Sequence, residues 1–286
     1  ILNEKLSNLG IIQANGVDSN RIHIRGPSAI EGGEVDLRYV TFSGNEHQFK
    51  NLNGTFQNCI FKEFNIPVGE FYLFGDGIGS IHFQDCQFLN GFTYASLIAG
   101  PNQEFDACVF SDISSYMYGA IRGTGLKFRR CTFGQVQFEL DLFDNASINA
   151  TQVFEYNNII TRADYPLYGA QIGSIFNLAP QYWGTTKDDI IQKYCLYDFY
   201  DDASLAEINY SNMLAMPSDS THGIVWKVEV DGVDPQDEDL DYLGPGTYQF
   251  DVYFNRAMDV EHTPFLTFGV DQPYTQHVVN DSASWS

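Results

Sequence analysis

The octet "IHFQDCQF", residues 81–88, decides the fold because its alternation of apolar residues breaks in the middle. Ile81 and Phe83 lie two positions apart, as residues on one face of a strand do, but Cys86 follows Phe83 by three positions. In a straight strand Cys86 would therefore lie on the face opposite to that of Phe83. A corner at Gln84–Asp85 would instead direct both halves of the octet toward one interior.

Near-copies of the octet recur along the chain in the form apolar-x-Phe-x-x-Cys-x-Phe. They read "VDLRYVTF" (35–42), "GTFQNCIF" (54–61), "QEFDACVF" (103–110), "LKFRRCTF" (126–133) and, more loosely, "QVFEYNNI" (152–159). The positions equivalent to Cys86 are separated by 19, 27, 22, 23 and 26 residues. A period near 23 with loops of variable length indicates a solenoid.

A corner repeated in each period predicts an all-β fold, a parallel β-helix of about six to eight coils in which each coil adds one rung to several parallel sheets. Stacked coils would form ladders of Phe side chains that include Phe56, Phe83, Phe105 and Phe128. Cys59, Cys86, Cys108 and Cys131 would form a structural ladder of their own. We expect free, buried thiols, because a ladder spreads them along a line and parallel side chains cannot form unstrained disulfides.

The pattern changes near residue 180, where "YWGTTKDDIIQKYCLYDFYDDASLAEINY" begins at Tyr182. Thr186, followed by Asp189, is a candidate N-cap for a helix that carries Ile190, Ile191, Tyr194 and Cys195 on one face. Such a helix would close the end of the rod, whose last rung otherwise exposes unpaired backbone groups.

This passage resembles the segment that ends right-handed parallel β-helix regions in large secreted surface proteins, which share its Tyr-Trp-Gly-Thr-Thr start and its Tyr-Asp-Phe-x-Asp-Asp continuation. The resemblance covers roughly residues 20–215. It implies a right-handed β-helix with a C-terminal capping helix and a secreted or cell-surface location. It implies no specific activity, since that family includes lyases, adhesins and passive stalks.

Plain alternation follows His222 in "IVWKVEV" (224–230) and "TYQFDVYF" (247–254). With "FNRAMD" (254–259) these strands resemble a bacterial-type immunoglobulin-like module. About 65 residues remain after Thr221, fewer than the about 100 of a complete sandwich, so we expect an incomplete module. The predicted domains are a β-helix (1–180), a helical cap and linker (181–220) and a partial β-sandwich (221–286).

Charge and hydropathy exclude two classes of partner. The net charge is −22, and 19 Asp and Glu against 4 Lys and Arg fall in residues 187–286. Nucleic-acid binding is excluded, since phosphate contacts need clustered Lys and Arg. No apolar run of about 18 residues occurs, so no membrane span is expected. The chain begins at Ile1 without Met or a leader, consistent with a processed or excised segment.

Five N-x-[ST] sequons are candidates for N-glycosylation, which would suit a secreted protein. They lie at Asn53, Asn145, Asn149, Asn209 and Asn280. In a chain rich in Asn and Ser, chance also produces such triplets, and both readings stay open.

Catalytic residues are not assigned. The coils carry Asp36, Asp85, Asp106 and Asp112, with Arg129 and Arg130 on the fifth coil. Asp85 and Asp106 lie at or beside the corner in successive coils and could face a shared groove, or they are solvated corner residues. The residue set of the pectin-hydrolase family and a G-x-S-x-G nucleophile motif are both absent from the sequence.

The run "DGVDPQDEDLDY" is the one candidate metal site, because dense carboxylates are the oxygen ligands that Ca²⁺ prefers. Its acidic residues are Asp231, Asp234, Asp237, Glu238, Asp239 and Asp241. The run does not follow the spacing of an EF-hand loop, and an acidic solvated loop is the alternative. No cofactor other than calcium is expected.

Two functions remain. The first is a secreted, non-enzymatic structural or adhesive protein, a subunit or stalk segment of an extracellular filament or surface appendage that associates with itself or with other surface proteins. The alternative is a β-helix that binds or degrades a polysaccharide, with carbohydrate as its partner. Converging Asp, Arg and aromatic side chains would favour the second hypothesis, and contacts at the ends of the rod would favour the first.

Overall fold

The computed structural model describes residues 5–7, 10–26, 28–44, 47–66, 73–75, 79–94, 97–99, 102–115, 121–122, 126–137, 140–141, 153–160, 167–168, 175–233, 246–261, 266–268 and 277–279. The chain forms two compact units, Ile1–Arg256 and Ala257–Ser286.

Three parallel sheets run along the first unit, and successive strands of the chain join them in turn. The first sheet consists of Lys5–Ser7, Ser28–Glu31, His47–Lys50, Phe74–Gly75, Ile98–Ala99, Ile121–Arg122, Leu140–Asp141, Leu167–Tyr168 and Leu196–Tyr197. The second consists of Ile11–Asn15, Glu34–Arg38, Asn53–Gln57, Ile81–Gln84, Gln103–Asp106, Lys127–Arg129 and Val153–Glu155. The third consists of Ile22–Arg25, Val40–Ser43, Ile60–Lys62, Gln87–Thr93, Val109–Ser115, Thr132–Gln137 and Asn158–Ile160, with Asn65–Ile66 beside Gln87–Thr93.

This arrangement confirms the predicted parallel β-helix. The second sheet contains seven described strands, within the six to eight coils expected. Its register aligns equivalent residues of successive repeats, since Phe83 pairs with Phe56 on one side and with Phe105 on the other. The right-handed sense of the coil stays a prediction.

The corner is built from a single residue in the left-handed region of backbone space. Asp85 has a φ of 52°, and the residue immediately before the Cys position has a positive φ in every repeat of the motif: Tyr39, Asn58, Asp85, Ala107, Arg130 and Tyr156. One such residue turns the chain from the second sheet to the third. Because only Gly, Asn and Asp adopt this conformation at low cost, Tyr, Ala and Arg here are held in place by the pairing of the strands on both sides.

Stacked Phe rings fill the interior. Within the second sheet, Phe83 and Phe105 stack at 4.6 Å with an interplanar angle of 2°, and within the third sheet, Phe88 and Phe110 stack at 4.7 Å and 3°. Rings of different sheets meet edge to face, as Phe105 and Phe110 do at 5.7 Å and 63°. Both geometries are favourable for aromatic pairs, so each coil is locked to the coils above and below it.

The ladder that contains the cysteines ties neighbouring coils together at the corner. Cys59, Cys86, Cys108, Cys131 and Cys195 are free and buried. Burial raises the pKa of the Cys108 thiol well above its usual range. Each ladder thiol lies 3.3 to 3.5 Å from a backbone carbonyl oxygen of the preceding coil, for Cys108 that of Phe83.

Carboxamides continue this ladder in the last coils. Asn157 donates through Nδ2 to the carbonyl oxygen of Phe128 at 3.2 Å, and Gln181 donates through Nε2 to that of Phe154 at 2.8 Å. Their side-chain oxygens accept the backbone N–H groups of Cys131 and Asn157 at 2.8 and 2.9 Å. What the Cys, Asn and Gln side chains of this ladder share is therefore a buried hydrogen-bond donor that points at a backbone carbonyl oxygen of the previous coil.

Cys86→Ser is expected to lower the free energy of unfolding by about 1 kcal/mol, less than Cys86→Ala. From the sequence, a serine hydroxyl here would be buried without a partner. The structure supplies two acceptors, since Cys86 Sγ lies 3.3 Å from the carbonyl oxygen of Phe56 and 3.4 Å from that of Gln84. Urea unfolding of the two variants measures the difference in stability. A Ser variant less stable than the Ala variant would contradict the role of position 86 as a hydrogen-bond donor in the ladder.

The capping segment is helical, but it begins later than predicted. Asp188–Ile190 is one turn of α-helix and Ile191–Cys195 continues it as a π-helix. The prediction that Thr186 caps this helix is wrong, because Lys187 occupies the N-cap position and makes no side-chain cap bond. The i→i+5 bonding of the π-helix widens the turn, so Ile191 and Cys195 join the core whereas Tyr194 is exposed.

Among the described strands of the first unit, two short sheets lie outside the three long ones. Ile175–Asn177 pairs in parallel with Glu207–Asn209, and Val225–Val230 pairs in antiparallel with Phe250–Phe254. The register of the antiparallel pair shifts between Val225 and Lys227, so the plain alternation expected there is interrupted. In the second unit, Leu266–Phe268 pairs with His277–Val279. A complete sandwich is not seen among the described strands, and the immunoglobulin-like module stays a prediction.

Candidate functional site

The outer face of the second sheet carries an ion-paired ladder of charges. Outward side chains alternate with the buried Phe residues, which places Glu104, Arg129 and Glu155 on neighbouring rungs. Arg129 binds Glu155 at 2.6 Å through Nε and binds Glu104 through Nη1. Lys127 and His82 lie 3.7 and 3.8 Å from the same Glu104 carboxylate. These charges hold adjacent rungs in register and neutralise one another.

A second group of charges lies at the corner between the second and third sheets. Arg130 donates two hydrogen bonds to the carboxylate of Asp106, one of them at 2.9 Å. Asp85 stands one coil earlier, and partial burial raises the pKa of its carboxyl group. The nearby imidazole of His222 acts in the opposite direction on that pKa. The structure thus brings Asp85 and Asp106 together, as the sequence suggested, and adds His222, which the sequence did not.

Asp85→Asn tests whether this corner needs a carboxylate. The pKa of Asp85 is higher in the folded chain than in the unfolded chain, so its ionisation disfavours the fold above the unfolded value of about 3.9. Asn also suits the left-handed backbone, as Asn58 does one coil earlier with a φ of 51°. We expect Asp85→Asn to raise the free energy of unfolding at pH 7 by no more than about 0.5 kcal/mol, and this gain in stability should disappear below pH about 3.9. Thermal unfolding of the variant and the wild-type chain at pH 7 and below pH about 3.9 measures this difference. A clear loss of stability in the variant at pH 7 would contradict the expectation.

A buried polar network fixes the chain after the cap to the outside of the third sheet. Asn255 is fully buried, and its Nδ2 lies 3.1 Å from Thr132 Oγ1 and 2.8 Å from Thr221 Oγ1. Asn158, also fully buried, exchanges hydrogen bonds with the backbone of Ser218, both at 2.7 Å. Sequence reasoning missed this network because its members are up to 123 residues apart.

The buried carboxylate of Asp198 serves the structure of the cap. It accepts hydrogen bonds from the backbone N–H groups of Tyr200 and Ile208, at 3.1 and 2.9 Å, and from the side chain of Gln192 at 3.2 Å. These bonds satisfy a charged group that has no exposed surface. The Tyr-Asp-Phe sequence is therefore a turn that ties the cap to the strand around Ile208.

Only one residue of the predicted calcium site lies in the described part of the chain. Asp231, with a φ of 50°, and Gly232, with a φ of 79°, form a tight two-residue turn, and Asp231 Oδ1 accepts the N–H of Gln249 at 2.8 Å. Outside the described residues lie Asp234, Asp237, Glu238, Asp239 and Asp241. Among the residues that are described, no group of three or more His, Cys, Asp or Glu is arranged to hold a metal ion. Calcium binding stays a prediction of the sequence.

Two of the five sequons are described. Asn53 is exposed, and its side-chain oxygen accepts the N–H of Ser80 at 3.0 Å. Asn209 is half-buried, and its Nδ2, the atom that a glycan would modify, donates to Asn177 at 2.7 Å. Of these two, Asn53 is the better candidate for glycosylation. Outside the described residues lie Asn145, Asn149 and Asn280.

Comparisons with family models and with curated proteins give no match from which a function could be transferred. No family model matches the chain, and no curated protein matches it significantly. Within the described residues, no helix has the length and apolar character needed to cross a membrane. A function for this chain is therefore inferred from its own geometry.

Proposed function

We propose that this chain is a secreted, non-enzymatic structural or adhesive protein, a subunit or stalk segment of an extracellular filament or cell-surface appendage. The observation that supports this proposal most is the continuous stack of Phe rings through successive coils, each ring 4.6 to 5.1 Å from the next between Phe56 and Phe133. A filled interior of this kind provides stiffness along an axis rather than space for a ligand.

The outer surface supports the same proposal. Arg129 and Arg130, the cations that a polysaccharide site would use, are bound to Glu104, Glu155 and Asp106. Such exposed pairs contribute modestly to stability and leave few unpaired charges on the described part of the second sheet. A rod whose outer charges are paired with one another suits side-by-side placement in a filament. Glycosylation at Asn53 is also part of the proposal.

The location is tested on intact cells of the source organism. Antibodies raised against the folded chain are expected to label an extracellular filament or the cell surface without permeabilisation. Mass spectrometry of the native protein is expected to show glycan mass on the peptide that contains Asn53, whereas labelling confined to the cell interior would contradict the proposal.

The corner charges favour the alternative function, a β-helix that binds or degrades an acidic polysaccharide. A carboxyl group whose pKa is raised by burial, as that of Asp85 is, suits a general acid, and Arg130 or His222 could receive a sugar carboxylate. This alternative predicts that Asp85→Asn removes a measurable sugar-releasing activity. The structural proposal predicts that there is no such activity to remove.

A further inference from the structure

The outer face of the second sheet changes character along the stack of coils. Because its strands are in register, outward side chains of successive rungs form rows. One row contains Asp36, Thr55, His82 and Glu104, and the next contains Arg38, Gln57, Gln84 and Asp106. Acidic and Arg side chains therefore occupy the first and fourth of these rungs, whereas the two middle rungs carry none.

The charges on both sides of the middle rungs are already paired. On the first rung, Arg38 Nε binds Asp36 Oδ1 at 3.2 Å. On the fourth rung, Arg129 binds Glu104 and Arg130 binds Asp106. An ionic ligand laid across this face would compete with pairs that the chain makes for itself.

Uncharged polar side chains cover the two middle rungs and the corner beside them. We call them the amide patch: Thr55, Gln57, Asn58 and Gln84. All four are partly exposed, and within the described part of the chain none of these side chains has a hydrogen-bond partner. Asp85, at the next corner, marks the edge of the patch. The donors and acceptors of the patch are therefore open to a ligand in exchange for water.

We propose that the amide patch binds a neutral polysaccharide. The inference rests on the proposed function and gives its adhesive role a site and a class of ligand. A carboxamide and a hydroxyl each donate and accept hydrogen bonds, as sugar hydroxyl groups do, and neither requires a charge on the ligand. The surrounding paired charges give no advantage to an acidic polymer over a neutral one.

The shape of the patch favours a polymer over a small molecule. Its rungs are about 4.8 Å apart and its outward side chains about 6.6 Å apart along a strand, so the hydrogen-bonding groups form a regular, open array. Small molecules bind in concave pockets, whereas an extended chain can lie on a face of this kind. In a filament, repeated patches would also raise the overall strength of binding to one polymer chain.

An aromatic ring borders the amide patch at the same corner. Tyr39 precedes Asn58 by one coil, and its backbone N–H donates to the carbonyl oxygen of Gln57 at 3.0 Å. The ring is partly exposed, and the guanidinium carbon of Arg21 lies 5.6 Å from its centroid. An apolar ring with a polar tip, next to amides, suits the mixed apolar and polar surface of a sugar.

Electrophoresis of the 286-residue chain through native gels tests the site. Separate gels contain hydroxyethyl-cellulose, galactomannan or arabinoxylan as neutral probes and polygalacturonate as the acidic probe. The chain is produced without glycans, since a glycan at Asn53 would lie two residues before Thr55 on the same strand. With a net charge of −22 the chain migrates readily, and we expect at least one neutral polymer to retard it.

The double variant Gln57→Ala/Gln84→Ala is expected to weaken this retardation at least about tenfold, since several hydrogen bonds to the polymer are lost. Its thermal unfolding should match that of the wild-type chain, because neither side chain has a partner among the described residues. Gln87→Ala is the matched control. Gln87 is also partly exposed and without a side-chain partner there, but it lies beyond the corner on the third sheet and should leave retardation unchanged.

Four results would overturn the inference. They are no retardation by any neutral polymer, retardation by polygalacturonate alone, retardation that the double variant retains, and an equal loss in Gln87→Ala. Self-association that the double variant abolishes would assign the patch to a contact between copies and overturn it as well. Failure here leaves the proposed structural function in place if antibodies label the cell surface, whereas labelling confined to the cell interior overturns that function even if a neutral polymer binds.

Discussion

Phe105→Ala is expected to lower the free energy of unfolding by about 3–5 kcal/mol. Phe105 has no exposed surface and stacks on Phe83 at 4.6 Å and on Phe128 at 4.7 Å. Its ring also meets Phe88 and Phe110 edge to face, at 6.1 and 5.7 Å. The truncation therefore opens a cavity in the middle of two ladders and removes four aromatic contacts.

Urea unfolding monitored by circular dichroism measures this loss, with Phe92→Ala as the control because Phe92 is partly exposed. The control is expected to cost much less than Phe105→Ala. Because each coil contacts only its neighbours, the variant is also expected to broaden the transition as the coils on either side of position 105 unfold less cooperatively. A loss below about 1 kcal/mol would contradict the view that the ring stack carries the stability of the rod.

Asn255→Ala is expected to cost about 3 kcal/mol, because it leaves several buried polar groups without a partner. Asn255 Nδ2 donates to Thr132, Thr221 and the carbonyl oxygen of His222, and its Oδ1 accepts the N–H of Ile224 at 2.7 Å. The side chain of Asn255 therefore joins the coils to the segment after the cap, as the side chain of Asn158 also does through its two hydrogen bonds with the backbone of Ser218.

Hydrogen exchange of the Ile224 amide gives a local measure of the same change. The amide is expected to exchange faster in Asn255→Ala while amides in the second sheet keep their protection. Asn209→Ala is the control, since Asn209 is only half-buried and should cost far less. Unchanged stability in Asn255→Ala would show that the network does not hold the antiparallel pair Val225–Val230 and Phe250–Phe254 against the coils.

The coils could be predicted because the sequence pattern that specifies them is short and recurs in each period. Phe83 and Cys86 occupy fixed positions in each period, and parallel stacking aligns these positions without further assumptions. The broken alternation at Gln84–Asp85 located the corner correctly. It could not reveal that one left-handed residue makes the turn, because Arg130 and Tyr156, which do so in later coils, rarely adopt that conformation.

The features that the sequence did not predict depend on contacts between residues that share no recognisable sequence pattern. Thr132 and Asn255 are 123 residues apart, and nothing in either neighbourhood indicates that they share a hydrogen bond. The predicted cap at Thr186 was wrong because a short helix with π-type turns is selected by the burial of Ile191 and Cys195 rather than by a capping side chain. His222 likewise lies near Asp85 because the buried polar network holds the segment after the cap against the coils, and the sequence does not indicate that contact.

Incubation of the purified chain with acidic polysaccharides tests the central claim, a structural rod without catalytic activity, most directly. The products are assayed for reducing ends and for the ultraviolet absorbance of unsaturated sugars, in parallel with Asp85→Asn and with and without calcium. We expect no release above the level of a heat-denatured sample. Release by the wild-type chain that Asp85→Asn abolishes would contradict the account and assign the corner of Asp85, Asp106 and Arg130 as an active site.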